Sequence, residues 1–379
     1  MKGALWILGA AAALPLLGVV AELGVRRWLR RWGAYYVWPP GLKLHLHPDP
    51  EVFPQLERLA RIEINADGER GDAVRRSGGR LYRILVAGGS VVECAFLDQP
   101  TSWPGALQRL LEAPEHLRTL GVSTVHVGNI GLAGVSSQGL NLILERILPR
   151  YRHLDLIVIM VGANDVNEWL AGGAPASFRP REIPASELFS CHPEGPFGWT
   201  PRELAVPRIL QRLWWRWLRP VKSHQGSGRW TARVRAMRAR AQEIRTGVPD
   251  PASMLQHFED QFRQLLRRAR SHADRVLVVQ QPWFEKDYTP EELAHVWQGA
   301  VGDPHQEEVS TYYSVEILCR LMALVGARAA HVADELGVEH LNLMSLLESS
   351  LETYFDFVHF TPAGSAVVAE AVAAAILRR

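Results

Sequence analysis

Two short segments, far apart in the chain, carry the residue types of a nucleophile and its base. Ser90 follows two glycines in Gly88–Glu93, directly after an apolar run, and glycines permit the sharp turn that presents a serine hydroxyl at a sheet edge. Near the other end, Asp356 and His359 lie three residues apart, just before Pro362. An imidazole is the usual base for a serine hydroxyl, and a carboxylate fixes its tautomer. These three residues predict nucleophilic catalysis by serine.

Two further loops carry groups that can stabilise an oxyanion. In Asn129–Gly134, the final glycine lets a backbone N–H approach a bound oxygen closely. In Gly162–Asp165, the side chain of Asn164 can donate to the same oxygen. Each segment alone also has a plainer interpretation: the GGS sequence as a phosphate-binding or structural turn, the glycine loop as an ordinary loop, Asn164 as a helix cap, and His359 as a solvated or capping residue.

The four segments are placed by a chain that alternates between predicted strands and helices. The predicted strands are 81–87, 124–127, 154–161, 275–280 and 339–342. The predicted helices are 101–111, 138–148, 258–269, 311–336 and 362–377. This alternation predicts an α/β fold, a three-layer α/β/α sandwich with a flavodoxin-like, parallel, five-stranded sheet. Ligands bind at the carboxyl ends of the strands in such sheets, and the four segments lie at such ends.

Together and in this order, the four segments resemble the SGNH (GDSL-like) hydrolase superfamily. The family's blocks G-D-S or G-G-S, N-x-x-x-x-G, G-x-N-D and D-x-x-H are matched by GGSVVEC, NIGLAG, GAND and DFVH. The resemblance covers 81–166 and 274–379, roughly half of the chain. Two departures are Gly89, where the family often has Asp, and Val91 with Val92, where Thr is frequent. Neither departure removes the nucleophile.

The resemblance implies a serine hydrolase that cleaves an ester or O-acyl bond. Ser90 would attack the carbonyl, His359 would take the hydroxyl proton, and Asp356 would orient His359. The backbone N–H groups of Ser90 and Gly134 and the side chain of Asn164 would form the oxyanion hole. No cofactor and no metal is expected, because a Ser-His pair needs neither. Two alternatives stay open: an O-acetyl or acyl transferase acting on a glycan, and a catalytically degenerate SGNH binding module, against which the retained catalytic residues argue.

The N-terminus carries a continuous apolar run, Ala4–Ala21, followed by Glu22 and by four arginines between Arg26 and Arg31. Its length is at the threshold of ~18 residues for a membrane span. A signal peptide with the cleavage-like sequence VVA and a buried helix are the alternatives. We predict an uncleaved, single-pass membrane anchor over residues 1–31. The side of the membrane stays open, because the arginines favour a cytoplasmic main domain whereas tethered proteins of this type usually face outward.

Composition divides the rest of the chain. Residues 32–80, rich in Pro, Gly and charge, predict a connector with small β elements, and residues 81–379 form the hydrolase domain. A helical insertion at about 168–251 interrupts the alternation and is predicted to lie outside the sheet, beside the site. Within residues 201–245 there are twelve Lys or Arg, two Glu and four Trp. This pattern fits either a helix at a membrane interface or an amphipathic helix packed on the domain.

Overall charge and the spacing of the cysteines limit the classes of partner that the sequence predicts. A net charge of +2 on 379 residues argues against a dedicated nucleic-acid binder. Cys94, Cys191 and Cys319 match no disulfide or metal-binding spacing. The predicted partners are therefore an ester or O-acylated substrate, lipid or glycan, and a membrane contacted through the N-terminal segment, with no nucleic acid.

Overall fold

A computed structural model describes residues 2–75, 79–194, 197, 199–200, 203–218 and 221–378, without the side chains of 2–12, 14, 212 and 215–217. In chain order, strands β1 to β10 are Lys43–Pro48, Ala60–Glu63, Leu81–Gly88, Thr124–Asn129, Leu156–Met160, Val221–Ser227, Glu243–Arg245, Arg275–Val279, Thr311–Tyr313 and Glu339–Leu341. Helices α1 to α13 are Lys2–Trp32, Ser90–Glu93, Trp103–Leu111, Pro114–Leu120, Ser137–Ile147, Ala163–Ala171, Ala185–Leu188, Ala205–Leu218, Arg229–Ala239, Ala252–Arg270, Pro290–His295, Val315–Glu335 and Pro362–Leu377.

Five parallel strands form the central sheet, in the order β10-β8-β5-β3-β4. Counted along the chain this is the flavodoxin-like order 2-1-3-4-5. Each of the five strands coincides with a predicted one to within a few residues. Every residue of β5 is buried, as a strand covered on both faces requires. The predicted parallel five-stranded sheet is confirmed.

Helices cover the sheet on both sides. One group consists of α3, α4 and α13, which contact one another, and the other of α5, α6, α10 and α12. Helix α10 shows why the sequence folds this way, because Phe258, Phe262, Leu265 and Leu266 recur at helical spacing and are all buried. The three-layer α/β/α arrangement is therefore confirmed.

A second, smaller sheet joins the connector to the insertion. Its order is β2-β1-β6, with β1 antiparallel to β2 and parallel to β6. The alternation of Leu42, Leu44 and Leu46 predicts β1, but β6 was missed because its sequence, VKSHQGS, is polar and lacks alternating apolar residues. Backbone pairing with β1 makes it a strand. In the described part of the chain, residues 168–251 supply no strand of the central sheet.

The predicted anchor falls within α1. The side chains of residues 2–12 and 14, which make up much of its apolar run, lie outside the described residues. No helix among the residues that the structure describes is both long enough and apolar enough to cross a bilayer. From Pro15 to Gly24, every side chain except that of Glu22 is exposed. The anchor stays a prediction.

Candidate active site

Ser90 opens α2 directly after β3 ends. A Cβ on Gly88 would lie 2.1 Å from the carbonyl oxygen of Met160, so only glycine lets β3 run this close to β5 at that point. A Cβ on Gly89 would lie 2.9 Å from Nδ2 of Asn164. The two glycines therefore bring the end of the neighbouring strand and the Asn164 amide close to the serine.

Ser90, His359 and Asp356 form a continuous chain of hydrogen bonds. Oγ of Ser90 lies 2.7 Å from Nε2 of His359, although the two residues are 269 positions apart in the sequence. Nδ1 of His359 lies 2.8 Å from Oδ2 of Asp356 and 2.9 Å from its Oδ1. These distances are within the range in which a base can take a hydroxyl proton. The structure thus brings together the three residues that the sequence predicts to act in concert.

Asp356 is held by several donors. Its Oδ1 accepts the backbone N–H groups of Val358 and His359, both at 2.9 Å. Its Oδ2 accepts the indole N–H of Trp297 at 2.9 Å. Burial disfavours the carboxylate, but the His359 ring and these N–H groups outweigh it and lower the pKa of Asp356 to about 2. Trp297 was missed because it lies 59 residues before Asp356, and a single Trp has no diagnostic spacing.

The imidazole of His359 has a fixed environment. Burial disfavours its charged form, but the Asp356 carboxylate and the more distant Glu93 outweigh that effect and raise the pKa of His359 above its ordinary value of 6.5. The rings of Phe355 and Trp297 lie nearly parallel to it, at centroid distances of 5.5 and 6.5 Å. The hydrogen bonds to Asp356 and Ser90 orient the imidazole between these two rings.

Gly134 and Asn164, the predicted oxyanion donors, line the same cleft as Ser90 and His359. Gly134 has a φ of +76°, and the position of its missing Cβ is open to 4 Å, so its backbone is accessible. Nδ2 of Asn164 donates to the carbonyl oxygen of Val135 at 2.9 Å, which uses one of the two amide N–H bonds. Their position is compatible with donation to an oxygen bound at Ser90.

Glu93 and Asn129 connect α2, the helix that begins at Ser90, to the glycine loop at residues 129–134. Oε2 of Glu93 accepts the backbone N–H of Ala133 at 2.5 Å, and burial raises the pKa of Glu93 to about 7. Nδ2 of Asn129 donates to the carbonyl of Val92 at 2.7 Å, while its Oδ1 accepts the N–H of Gly131 at 2.7 Å. Neither role was predicted from the sequence. The one feature of the sequence that could have indicated a role for Glu93 is that it is a carboxylate three residues after Ser90, next to the apolar residues Val91 and Val92.

The aspartate of GAND has a structural role. Asp165 is buried, and its carboxylate accepts both the backbone N–H and the hydroxyl of Ser137 at the start of α5. Burial raises its pKa to about 7 in spite of these bonds. Unpaired N–H groups at a helix N-terminus favour a carboxylate, so Asp165 fixes the start of α5 against the first turn of α6, which carries Asn164.

The cleft in front of Ser90 has a volume of about 900 Å³. The insertion contributes Arg181, Glu187 and Trp230 to its lining, so this segment borders the site. Trp230 stacks on His305 with centroids 4.0 Å apart, and both residues line the cleft. The cleft is large enough for a substrate that extends well beyond the reacting carbonyl.

A group of potential metal ligands lies elsewhere. Within the described residues, His153, Asp155 and Asp274 place one ligand atom each within 4.8 Å of one another. Asp155 and Asp274 come just before β5 and β8, whereas Ser90 follows β3, so the group is at the opposite end of a parallel sheet. It contributes nothing to the chemistry at Ser90.

No family model matches the sequence, and a comparison with curated proteins finds no relative. Among solved structures, the chain is similar to Axe2, an acetylxylan esterase from Geobacillus stearothermophilus, with a TM-score of 0.40 and 13% identity over 77% of this chain and 92% of Axe2. A catalytic mutant of Axe2 gives the same values, and another gives 14% identity with the same TM-score and coverage. Similarity at this level leaves the activity to be inferred from the site itself.

Proposed function

We propose that this protein is a serine hydrolase of the SGNH type that cleaves an ester or O-acyl bond. The observation that carries the proposal is the hydrogen-bond chain from Oγ of Ser90 through both nitrogens of His359 to Asp356. In this chain the carboxylate fixes the tautomer of the imidazole, which leaves Nε2 to accept the hydroxyl proton. A serine hydroxyl is a weak nucleophile until such a base acts on it.

The proposed reaction has two steps. Oγ of Ser90 attacks the substrate carbonyl while Nε2 of His359 takes its proton, and His359 then protonates the departing alcohol. In the second step Nε2 of His359 takes a proton from water as the water oxygen attacks the acyl-serine ester, and then returns that proton to Oγ of Ser90 as the acid departs. The backbone N–H groups of Ser90 and Gly134 and the amide of Asn164 stabilise the oxyanion of each tetrahedral intermediate. Replacement of water by a sugar hydroxyl in the second step would make the protein an acyl transferase, and loss of the chemistry would leave a binding module.

An activity-based probe tests the proposal directly. A fluorophosphonate should label the protein once, at Ser90, and a panel of aryl esters and acetylated glycans should then identify the acyl donor. Product analysis with and without a glycan acceptor separates hydrolysis from transfer. A folded protein that reacts with neither probe nor ester would leave the binding module as the better account.

The proposal includes single-pass membrane anchoring through residues 1–31.

Asn164→Ala is expected to lower kcat for a short-chain aryl ester ~10²–10³-fold with little change in KM, because the amide is needed when the oxyanion forms. Steady-state kinetics measure the effect. Asn167→Ala is the matched control, since Asn167 lies one turn further along α6 and also lines the cleft. An equal loss in both variants would show that the amide of Asn164 does not stabilise the oxyanion specifically.

The pH dependence of kcat/KM should report His359. The imidazole accepts a proton only when neutral, and its pKa is raised above 6.5, so activity should fall as the pH drops through a value above 6.5. Asp356→Asn removes the charge that raises this pKa. We expect it to move the acidic limb to lower pH and to reduce the maximal rate ~10⁴-fold.

The control for this profile is Asp287→Asn, which changes an exposed carboxylate outside the cleft. It should leave both the limb and the maximum in place. An acidic limb that stays at its wild-type position in Asp356→Asn would mean that another group governs the profile.

A further inference from the structure

We propose that helix α8 of the insertion lies in the interfacial layer of an anionic lipid bilayer, beside the predicted anchor. The inference rests on the proposed anchoring and adds a second contact, made by a different part of the chain. Three observations carry it: a buried joint between α1 and α8, an apolar face of α8 that points outward, and positive charge beside that joint.

The joint is made by Glu22, which follows the predicted anchor directly. Although it belongs to a helix whose neighbouring side chains are exposed, Glu22 is only 3% exposed. Its Oε1 accepts the backbone N–H of Ala205 at 2.7 Å, and its Oε2 accepts that of Val206 at 2.9 Å. These are unpaired donors of the first turn of α8, where a negative charge is stabilising. The carboxylate also pairs with Arg26 at 2.6 Å. The start of α8 is therefore fixed at the end of the predicted span.

The apolar face of α8 points away from the protein. Leu210, Leu213, Trp214 and Leu218 recur at spacings of three and four, so they share one side of the helix. All four are exposed, with Leu210 and Leu218 at 60% and 65%. A helix of a soluble domain turns such a face toward the core. Helices that lie in a bilayer interface turn it toward the acyl chains instead.

Positive charge lies beside the contact between α1 and α8. Arg27, Arg30 and Arg31 are exposed at the end of α1, and the guanidinium of Arg26 lies 4.5 Å from the ring centroid of the exposed Trp199. Within α8, Arg208 adds a further cation, with its guanidinium 5.9 Å from the ring centroid of Phe197. Basic residues and tryptophans are the side chains that bind anionic headgroups and settle at headgroup depth. A second copy of this chain would bring the same arginines to such a contact, so charge favours lipid over self-association.

Nitroxide labels on the full chain in nanodiscs test the proposal. Leu213→Cys, Leu17→Cys and Val367→Cys place a label on α8, in the predicted anchor and on α13, at positions that are all exposed. Collision rates with oxygen and with a water-soluble nickel chelate report depth. In nanodiscs with anionic lipid, the labels at positions 17 and 213 should collide more often with oxygen than with the nickel chelate, and label 213 should lie at the shallower depth. The label at position 367 should collide more often with the nickel chelate. The parent protein without an added cysteine, treated with the same label, gives the background, since Cys94 and Cys191 are buried but Cys319 is half-buried.

The outcomes separate the two ideas. If label 17 lies in lipid but label 213 is as accessible to nickel as label 367, the anchor holds and the α8 inference fails. If neither enters lipid, the anchoring itself fails. Protection of label 213 from both reagents would mean a protein contact and also overturns the inference. Equal depth in zwitterionic nanodiscs would overturn the anionic preference. Glu22→Ala, which removes the joint, should make label 213 more accessible to nickel while label 17 stays in lipid.

Discussion

Ser90→Ala should reduce turnover of a short-chain aryl ester by ~10⁶-fold, the loss expected when the nucleophile of a serine triad is removed. In the proposed reaction the Oγ atom forms the bond to the acyl group, and an alanine methyl cannot replace it. Residual turnover should come only from the oxyanion donors and substrate binding. The rate is measured with purified protein, and circular dichroism checks that the fold is retained, since Ser90 fills no part of the core.

Ser186→Ala is the matched control, because Ser186 is exposed and lies outside the cleft. It should keep the wild-type rate and the probe labelling that Ser90→Ala loses. Wild-type turnover by folded Ser90→Ala would end the serine-hydrolase proposal and bring the binding module forward.

His359→Ala should cause nearly the same loss, ~10⁶-fold in kcat. The variant lacks the base whose Nε2 lies 2.7 Å from the Ser90 hydroxyl. Since both side chains serve one proton transfer in the proposed reaction, the double variant Ser90→Ala/His359→Ala should be no slower than either single variant. His331→Ala, a change at an exposed histidine of α12, should leave the rate unchanged. Additive losses in the double variant would show that the two residues do not act as a unit.

The sequence was informative where function depends on local backbone chemistry. Glycines before Ser90, an aspartate three residues before His359 and continuous apolar runs are visible without any tertiary information. Their pattern predicted the sheet, its two helical layers and the residues that meet at Ser90. The insertion was also expected to lie outside the sheet, but its strand β6 was not predicted.

The contacts that could not be predicted join segments distant in sequence. Trp297 reaches Asp356 from the segment between β8 and α12, and nothing in its own neighbourhood marks it as a hydrogen-bond donor to the site. Glu22 caps a helix that begins 183 residues later. The polar strand β6 exists only because β1 offers it a partner. In each case the partner comes from a segment distant in sequence, so the local sequence does not show that the contact forms.

The pairing of β1 with β6 has a consequence for attempts to trim this protein. With β6 in place, β1 is a central strand, bonded on one side to β2 and on the other to β6. Excision of residues 168–251 would turn β1 into a bare edge, with a row of backbone N–H and C=O groups seeking partners. Such an edge can recruit the same strand from another molecule. A shortened protein is therefore expected to aggregate even if its central sheet folds, unless the vacated edge is blocked with a proline or a charged side chain.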